Sequence, residues 1–470
     1  MSLTSAFNAA TTGLSLTSRW ASTTSLNISN ANTLGYARRT PNVTVSATGE
    51  PIVNGISRAI DYSLDSMYHA ETARTGTQSA LAEVLTLYTT TLGGTDSTDG
   101  MLARLTDFQS SMNLLAITPS DTSLQRAAVT DAEELVNALN RADSGLEQAR
   151  NSAAGSAATD VAEINTLLSQ IAKLNARIET EAEGTDTRLT FEDKLTQALD
   201  DLSPLIDYTV RYDSVGRVEI FTTGGTPLLQ GDEPSLLAFD KTTLSLTAGG
   251  IDITPNVDGV RGINEGTLAG YITFLNTKAP EIQAQLDEVA RALIQGFQDS
   301  DASLAAGDAG LFTDAGVAIT GPITEGLAGR IAINDAVLPE AGGELWRLRD
   351  GIGATVEGAQ SDPTQINAFI DFMNSTTSFD SAAGLGDSAT LTSYISTLIA
   401  SQQTLRSEAE TSRDSYSAGA DTIQSTRMGF MGVNVDDELQ QLLLIEQSYG
   451  ANSQVLQTIN EMFEELLSSF

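Results

Sequence analysis

The two ends of the chain carry matching seven-residue rhythms. Leu3, Phe7, Ala10, Leu14, Thr17, Ala21, Thr24 and Ile28 recur in steps of four and three. Leu442, Ile445, Tyr449, Asn452, Leu456, Ile459, Phe463 and Leu466 do the same near the other end. That spacing puts each set on one helix face and predicts a coiled-coil seam. The first helix is expected from about Thr4 to Asn30. Asn32, Thr33 and Gly35 then close it, with Gly35 as the turn residue. Asn434 or Asp436 can cap the last helix, where Asp436, Asp437 and Glu438 suit the positive end of its dipole.

Charge is segregated in the same way. No acidic residue precedes Glu50, whereas Arg19, Arg38 and Arg39 do; no basic residue follows Arg427, whereas Asp436, Asp437, Glu438, Glu446, Glu461, Glu464 and Glu465 do. Two readings fit: a helical hairpin inside one globule, or ends that pair when many copies assemble. The Ala- and Thr-rich N-terminal stripe favours the second, because such a helix is marginal alone. Arg38 and Arg39 are either solvated or paired with acidic residues of the last helix.

Composition narrows the function classes. Against 25 Lys and Arg stand 61 Asp and Glu, a formal charge of −36 over 470 residues. Nucleic-acid binding relies on cations that displace phosphate counterions, so it is not expected. Attraction to an anionic membrane is not expected either. The absence of cysteine excludes disulfides, thiolate nucleophiles and sulfur-ligated zinc. The single histidine, His69, reads as a surface or helix-packing residue. Met1–Ala10 lacks the basic and apolar regions of a secretory signal. No apolar run is long enough to span a bilayer.

The middle of the chain reads as helix, β insertion, helix. Alternation around Val43 and Val45 predicts an extended connector or short hairpin. Helices are expected over 60–92, 101–117, from Ser120 or Asp121 towards Glu181 with a break near Gly155, and over 191–202. Residues 208–254 alternate as strands, 270–298 return to helix with Pro280 either kinking it or marking its boundary, and 301–360 are loop-rich and partly β. Helices resume over 365–373 and 391–428.

The run Asn27-Ile28-Ser29-Asn30-Ala31-Asn32-Thr33-Leu34-Gly35-Tyr36-Ala37-Arg38-Arg39 resembles the N-terminal signature of axial flagellar proteins. Gly432-Val433-Asn434-Val435-Asp436-Asp437-Glu438-Leu439, followed by Glu446-Gln447-Ser448-Tyr449-Gly450-Ala451-Asn452, resembles its C-terminal partner motif, with Ser448 and Gly450 departing from a more Ala-rich pattern. Within that group the chain looks most like the flagellar hook-associated protein 1 family. Tyr36 with Arg38-Arg39, and Gly266-Thr267-Leu268-Ala269-Gly270-Tyr271 followed by Gln285-Leu286-Asp287-Glu288-Val289-Ala290, are similar to that family's runs.

The resemblance implies a fold that is mainly α with a β-rich insertion. Terminal helices (1–40 and 432–470, disordered as a monomer) would pair into a coiled coil on assembly. A helical-bundle body (41–204, 262–300 and 361–431) would carry an outer β-rich, loop-rich domain (205–261 and 301–360). It implies a structural part of the bacterial flagellum at the hook–filament junction, exported without a cleaved signal. Partners would be other copies of the chain, the hook protein, the second junction protein and filament proteins, and an export chaperone at the C-terminal segment. Assembly would run through Leu3, Phe7, Ala10, Leu14, Ile28, Asn30, Gly35, Tyr36, Arg38 and Arg39 at one end. At the other it would use Leu442, Ile445, Tyr449, Asn452, Leu456, Ile459, Phe463 and Leu466. No catalytic residue, cofactor or metal is assigned, since the many carboxylates lack acid–base partners or ligand spacing. The alternatives are the hook protein itself and an acidic secreted adhesin or enzyme.

Overall fold

The structure is a computed structural model and describes residues 3–33, 35–46, 50–319 and 324–468; Met1, Ser2 and Leu34 of the N-terminal motif lie outside the described residues. Helix α1 (Leu3–Ser29) leads into a hairpin of β1 (Arg39–Val45) and β2 (Pro51–Arg58). Helices α2 (Tyr62–Leu92), α3 (Met101–Ile117), α4 (Thr122–Thr180) and α5 (Asp186–Leu202) follow. Two small antiparallel sheets come next. One is β3 (Tyr208–Tyr212), β4 (Val218–Thr222), β5 (Pro227–Gln230) and β6 (Glu233–Pro234), and the other is β7 (Leu237–Asp240), β8 (Ser245–Ala248) and β9 (Ile251–Asp252).

The chain then re-enters helix as α6 (Thr267–Thr273) and α7 (Ala279–Asp299). Short elements follow: β10 (Phe312–Asp314), α8 (Leu327–Arg330), β11 (Ile331–Ile333), α9 (Arg347–Asp350), α10 (Thr364–Asn374), β12 (Thr377–Ser378) and β13 (Ser388–Ala389). The long helices α11 (Leu391–Met431) and α12 (Val435–Ser468) close the described chain.

Helix α4 is the spine. Its 59 residues run without the break expected at Gly155, a length of roughly 88 Å at about 1.5 Å per residue. Ala153, Ala154 and Ala157, good helix formers, surround that glycine. Asp121 starts the helix by accepting from the Ser123 and Leu124 N–H groups. The buried face of α4 includes Leu135, Leu139, Leu146, Ile164, Leu168, Ile171 and Ile178, which join one core with α2, α3, α7 and α11. Pro280 marks an element boundary, one of the two sequence readings. A π turn over Phe274–Lys278 joins α6 to α7 and places Pro280 in the first turn of α7, where its missing N–H leaves no bond broken.

Two asparagines on α4 act as surrogate strands for the β insertion. Asn175 donates to the Val218 carbonyl at 2.8 Å and accepts from its N–H at 3.0 Å. Asn165 does the same to Leu237 at 2.9 and 2.7 Å. Residues 301–360 seat elsewhere, through α8 and β11 on α4 and through β10 on α7. There Gln283 bridges Asp143 of α4 at 2.8 Å and Asp287 at 3.0 Å, and Asp287 accepts from Gly326 and Ala328. Asn165 and Asp143 are 22 residues apart on α4, about 33 Å along the axis. The sequence reading joins 205–261 and 301–360 in one outer domain; in the structure they occupy separate stretches of the spine.

Candidate functional site: the neck between terminal helices and body

Helices α1 and α12 lie side by side and antiparallel. Gly13 faces Asn452, and a groove between the helices is lined by Gly13, Thr17 and Trp20 with Ile445, Ser448 and Asn452. The seam buries Ala10, Thr17 and Thr24 of α1, seven residues apart, and Glu438, Ile445 and Ile459 of α12, seven and fourteen residues apart. Leu3, Leu14, Ile28, Leu442, Asn452 and Leu456 are half-buried beside it. Four stripe members sit differently: Phe7, Tyr449, Phe463 and Leu466 are exposed. The pairing occurs within one chain, with the seam built largely from small and polar side chains.

The N-terminal motif forms a clamp at the end of α1. Asn27 is buried, and its Oδ1 accepts from the Tyr36 hydroxyl at 2.8 Å and the Arg39 N–H at 3.0 Å. Its Nδ2 donates to the Arg39 carbonyl at 2.9 Å. Residue 39 is thereby tied to the last turn of α1. Burial pushes the Tyr36 hydroxyl up to about 12, with Arg39 pulling the other way, so the phenol keeps the proton it donates. Asn30 bonds back to the Leu26 carbonyl and accepts from Thr33, which shapes the helix end. Gly35 has φ +75°, and a Cβ there would lie 3.3 Å from Gln197 Cβ and 3.4 Å from the Asp193 carbonyl. Only glycine both adopts this backbone without cost and lets the turn rest on α5.

The two arginines of the motif diverge. Arg38 is half in solvent, lies 3.6 Å from Glu438, and donates its N–H to the Met431 carbonyl at 2.8 Å. It therefore meets the C-terminal arm, as one sequence reading allows. Arg39 does not. It is buried over the Tyr36 ring and reaches Asp193 at 2.8 Å and Asp186 at 3.3 Å, both on α5. Arg58 of β2 reaches the same Asp193 at 2.7 Å.

A second ionic cluster sits under the C-terminal arm. Arg427, in the last turns of α11, is buried against Asp65 of α2 and Asp200 of α5, the latter at 2.8 Å, with its guanidinium 5.1 Å from the Tyr68 ring centre. His69 is buried too, and its Nε2 meets Asp200 Oδ1 at 2.8 Å. This corrects the surface reading of His69 and keeps the packing one. Sequence reasoning missed Asp193, Asp200, Asp65, Arg58 and Arg427. One usable signal was present: Asp193 and Asp200 are seven residues apart beside the apolar stripe of α5.

Terminal helices paired at one end of a helical body, with a motif-built neck and a β-rich insertion from its middle, define an axial protein of the flagellar type. Residues 89–310 match the family of the flagellar hook-associated protein FlgK helical domain. Residues 424–469 match the C-terminal family of the flagellar basal body rod FlgEFG proteins. The chain is 24% identical to flagellar hook-associated protein 1 of Escherichia coli over 561 aligned positions, covering 99% of this chain and 100% of the relative. It is 23% identical to the Salmonella typhimurium protein of the same name, with the same coverage. It is 20% identical to that of Bacillus subtilis, covering 95% of this chain and 94% of the relative. A solved structure, the flagellar hook junction protein FlgK from Burkholderia pseudomallei, aligns with a TM-score of 0.44 at 22% identity, over 53% of this chain and 46% of that one. The helical domain of this chain, residues 89–310, belongs to the FlgK family of flagellar hook-associated proteins. The chain is a structural component of the flagellum, and among the described residues no helix is long and apolar enough to cross a membrane.

Proposed function

We propose that this protein joins hook to filament by helical self-assembly through its terminal helices. The observation that carries the reading is the imbalance of α12. Its inner seam buries two isoleucines, while Leu439, Leu443, Tyr449, Val455 and Met462 are exposed along the rest of the helix. Burying an isoleucine is worth about 1.5–3 kcal/mol, whereas fixing each residue's backbone costs roughly 1–2 kcal/mol. A seam this sparse supports the α1–α12 pair poorly, and neighbouring copies would cover what it leaves open.

In this reading the α1–α12 pairs of many copies line an inner tube, the bundle forms a surrounding shell, and the β insertion faces outwards. Hook protein and filament proteins are the neighbours at the two ends. An export chaperone covers the C-terminal segment beforehand, and export uses the flagellum's own apparatus without a cleaved signal. The test is a paired substitution, Leu443→Glu with Val455→Glu, which spares Leu444 because it lines the groove against α1. These side chains are exposed, so the purified monomer should melt as the native protein does while its incorporation at hook tips is lost. Normal incorporation would remove the assembly role of this face.

A further inference from the structure

We infer that helix α5 is the part that sets the angle between the terminal helices and the body, through Asp193 and Asp200 as positioning residues. The inference rests on the assembly reading above. Asp193 and Asp200 are seven residues apart on α5, hence two turns and about 10 Å apart on one face. Asp193 receives Arg39, which Asn27 ties to the end of α1, and Arg58 from the stem of the hairpin. Asp200 receives Arg427 and His69 beneath the exit to α12. Gly35 brings the intervening turn into contact with α5 between those two points, at Gln197.

Both chain crossings between terminal pair and body are therefore referred to one helix. Arg39 and Arg427 are buried and held by more than one carboxylate. Such fixed, charge-assisted geometry specifies direction as well as energy. The crossing segments themselves are short, 30–38 and 432–434, so a small displacement at α5 becomes a large one at the far end of α12. In an assembly this angle decides how the body sits over the inner tube.

The experiment uses a strain deleted for this gene and complemented with tagged full-length variants. Readouts are variant protein on isolated hooks, flagellin in the medium, and urea stability of each purified variant. Asp193→Asn should still reach the hooks yet release flagellin several-fold above the native level. The second variant adds Arg58→Gln, which relieves the repulsion between Arg39 and Arg58 that Asp193→Asn leaves behind. It should regain urea stability and still shed flagellin, because Asp193 no longer fixes Arg39, which keeps only Thr190 and the half-exposed Asp186 on α5. Recovery of attachment together with stability would reduce Asp193 to a purely structural residue and overturn the inference. So would native attachment with Asp193→Asn, or absence of that variant from hooks. If the deletion strain itself keeps working filaments, it is the junction reading that fails.

Discussion

Arg39 and Arg58 face each other directly across the β1–β2 ladder. Like charges in that position repel, and the pair persists because Asp193 of α5 sits between them, 2.8 Å from one and 2.7 Å from the other. The hairpin stem is thus incomplete without α5. The most motif-like stretch of the chain works by docking onto a helix about 150 residues further on.

Arg38 and Arg39 should respond differently to loss of their charge. Arg38→Gln removes a pair that is open to solvent on the Arg38 side while Glu438 is buried, and should cost no more than about 1 kcal/mol. Arg39→Gln should cost about 2 kcal/mol, below the ~3–5 kcal/mol of an isolated buried pair, because Arg58 still neutralises Asp193. Urea titration of the two variants measures the difference, and equal effects would contradict the assignment of partners.

Gly35→Ala places a side chain at φ +75° against α5. The left-handed backbone alone costs about 1–2 kcal/mol. The variant should unfold at lower urea with an unchanged dependence on denaturant, whereas a neutral result would mean that the turn does not rest on α5.

Burial raises the Asp160 carboxyl to about 6, opposed by its hydrogen bond from Thr267 and aided by Glu163 and Glu83. The unfolded value is 3.8, so the folded state holds this proton more tightly. The resulting stabilisation is complete below 3.8 and is lost as pH rises through 6. Melting temperature should therefore fall between pH 4 and pH 7 by an amount that Asp160→Asn abolishes. At pH 7 the Asn variant should be the more stable by about 1 kcal/mol once partial exposure is allowed for. A native-like pH slope in Asp160→Asn would refute the assignment.

Phe297 packs among Phe108, Phe312, Phe369 and Phe372, with ring centres 4.8–5.8 Å away, and is fully buried. Phe297→Ala should cost about 3–5 kcal/mol. Guanidinium unfolding followed by tryptophan fluorescence would register it, and a loss under 1 kcal/mol would mean that this end of the body is loosely packed.

Much of the architecture was legible because local signals agreed with the fold. Asp121 before α4, the glycines after α2 and the alternation of Val218 and Ile220 mark elements through chemistry within a few residues. Gly155 misled because alanine neighbours outweigh one glycine in a helix packed along its length. The seam residues of α1 and α12 followed from the heptads, yet Phe7 and Tyr449 turned outwards, since spacing gives a face and not the partner that covers it. The neck was only half legible. Asn27, Gly35, Tyr36 and Arg39 stood out together, but Asp193, Asp200 and Arg427 meet them only through folding, and no local pattern marks a buried ion pair between distant segments.

The junction role is tested most directly by deleting the gene, imaging the cells by electron microscopy and assaying flagellin in the medium. The account predicts hooks without filaments and flagellin shed into the medium. Cells that keep intact, working filaments would contradict it, and loss of the hooks themselves would assign the chain to the hook instead.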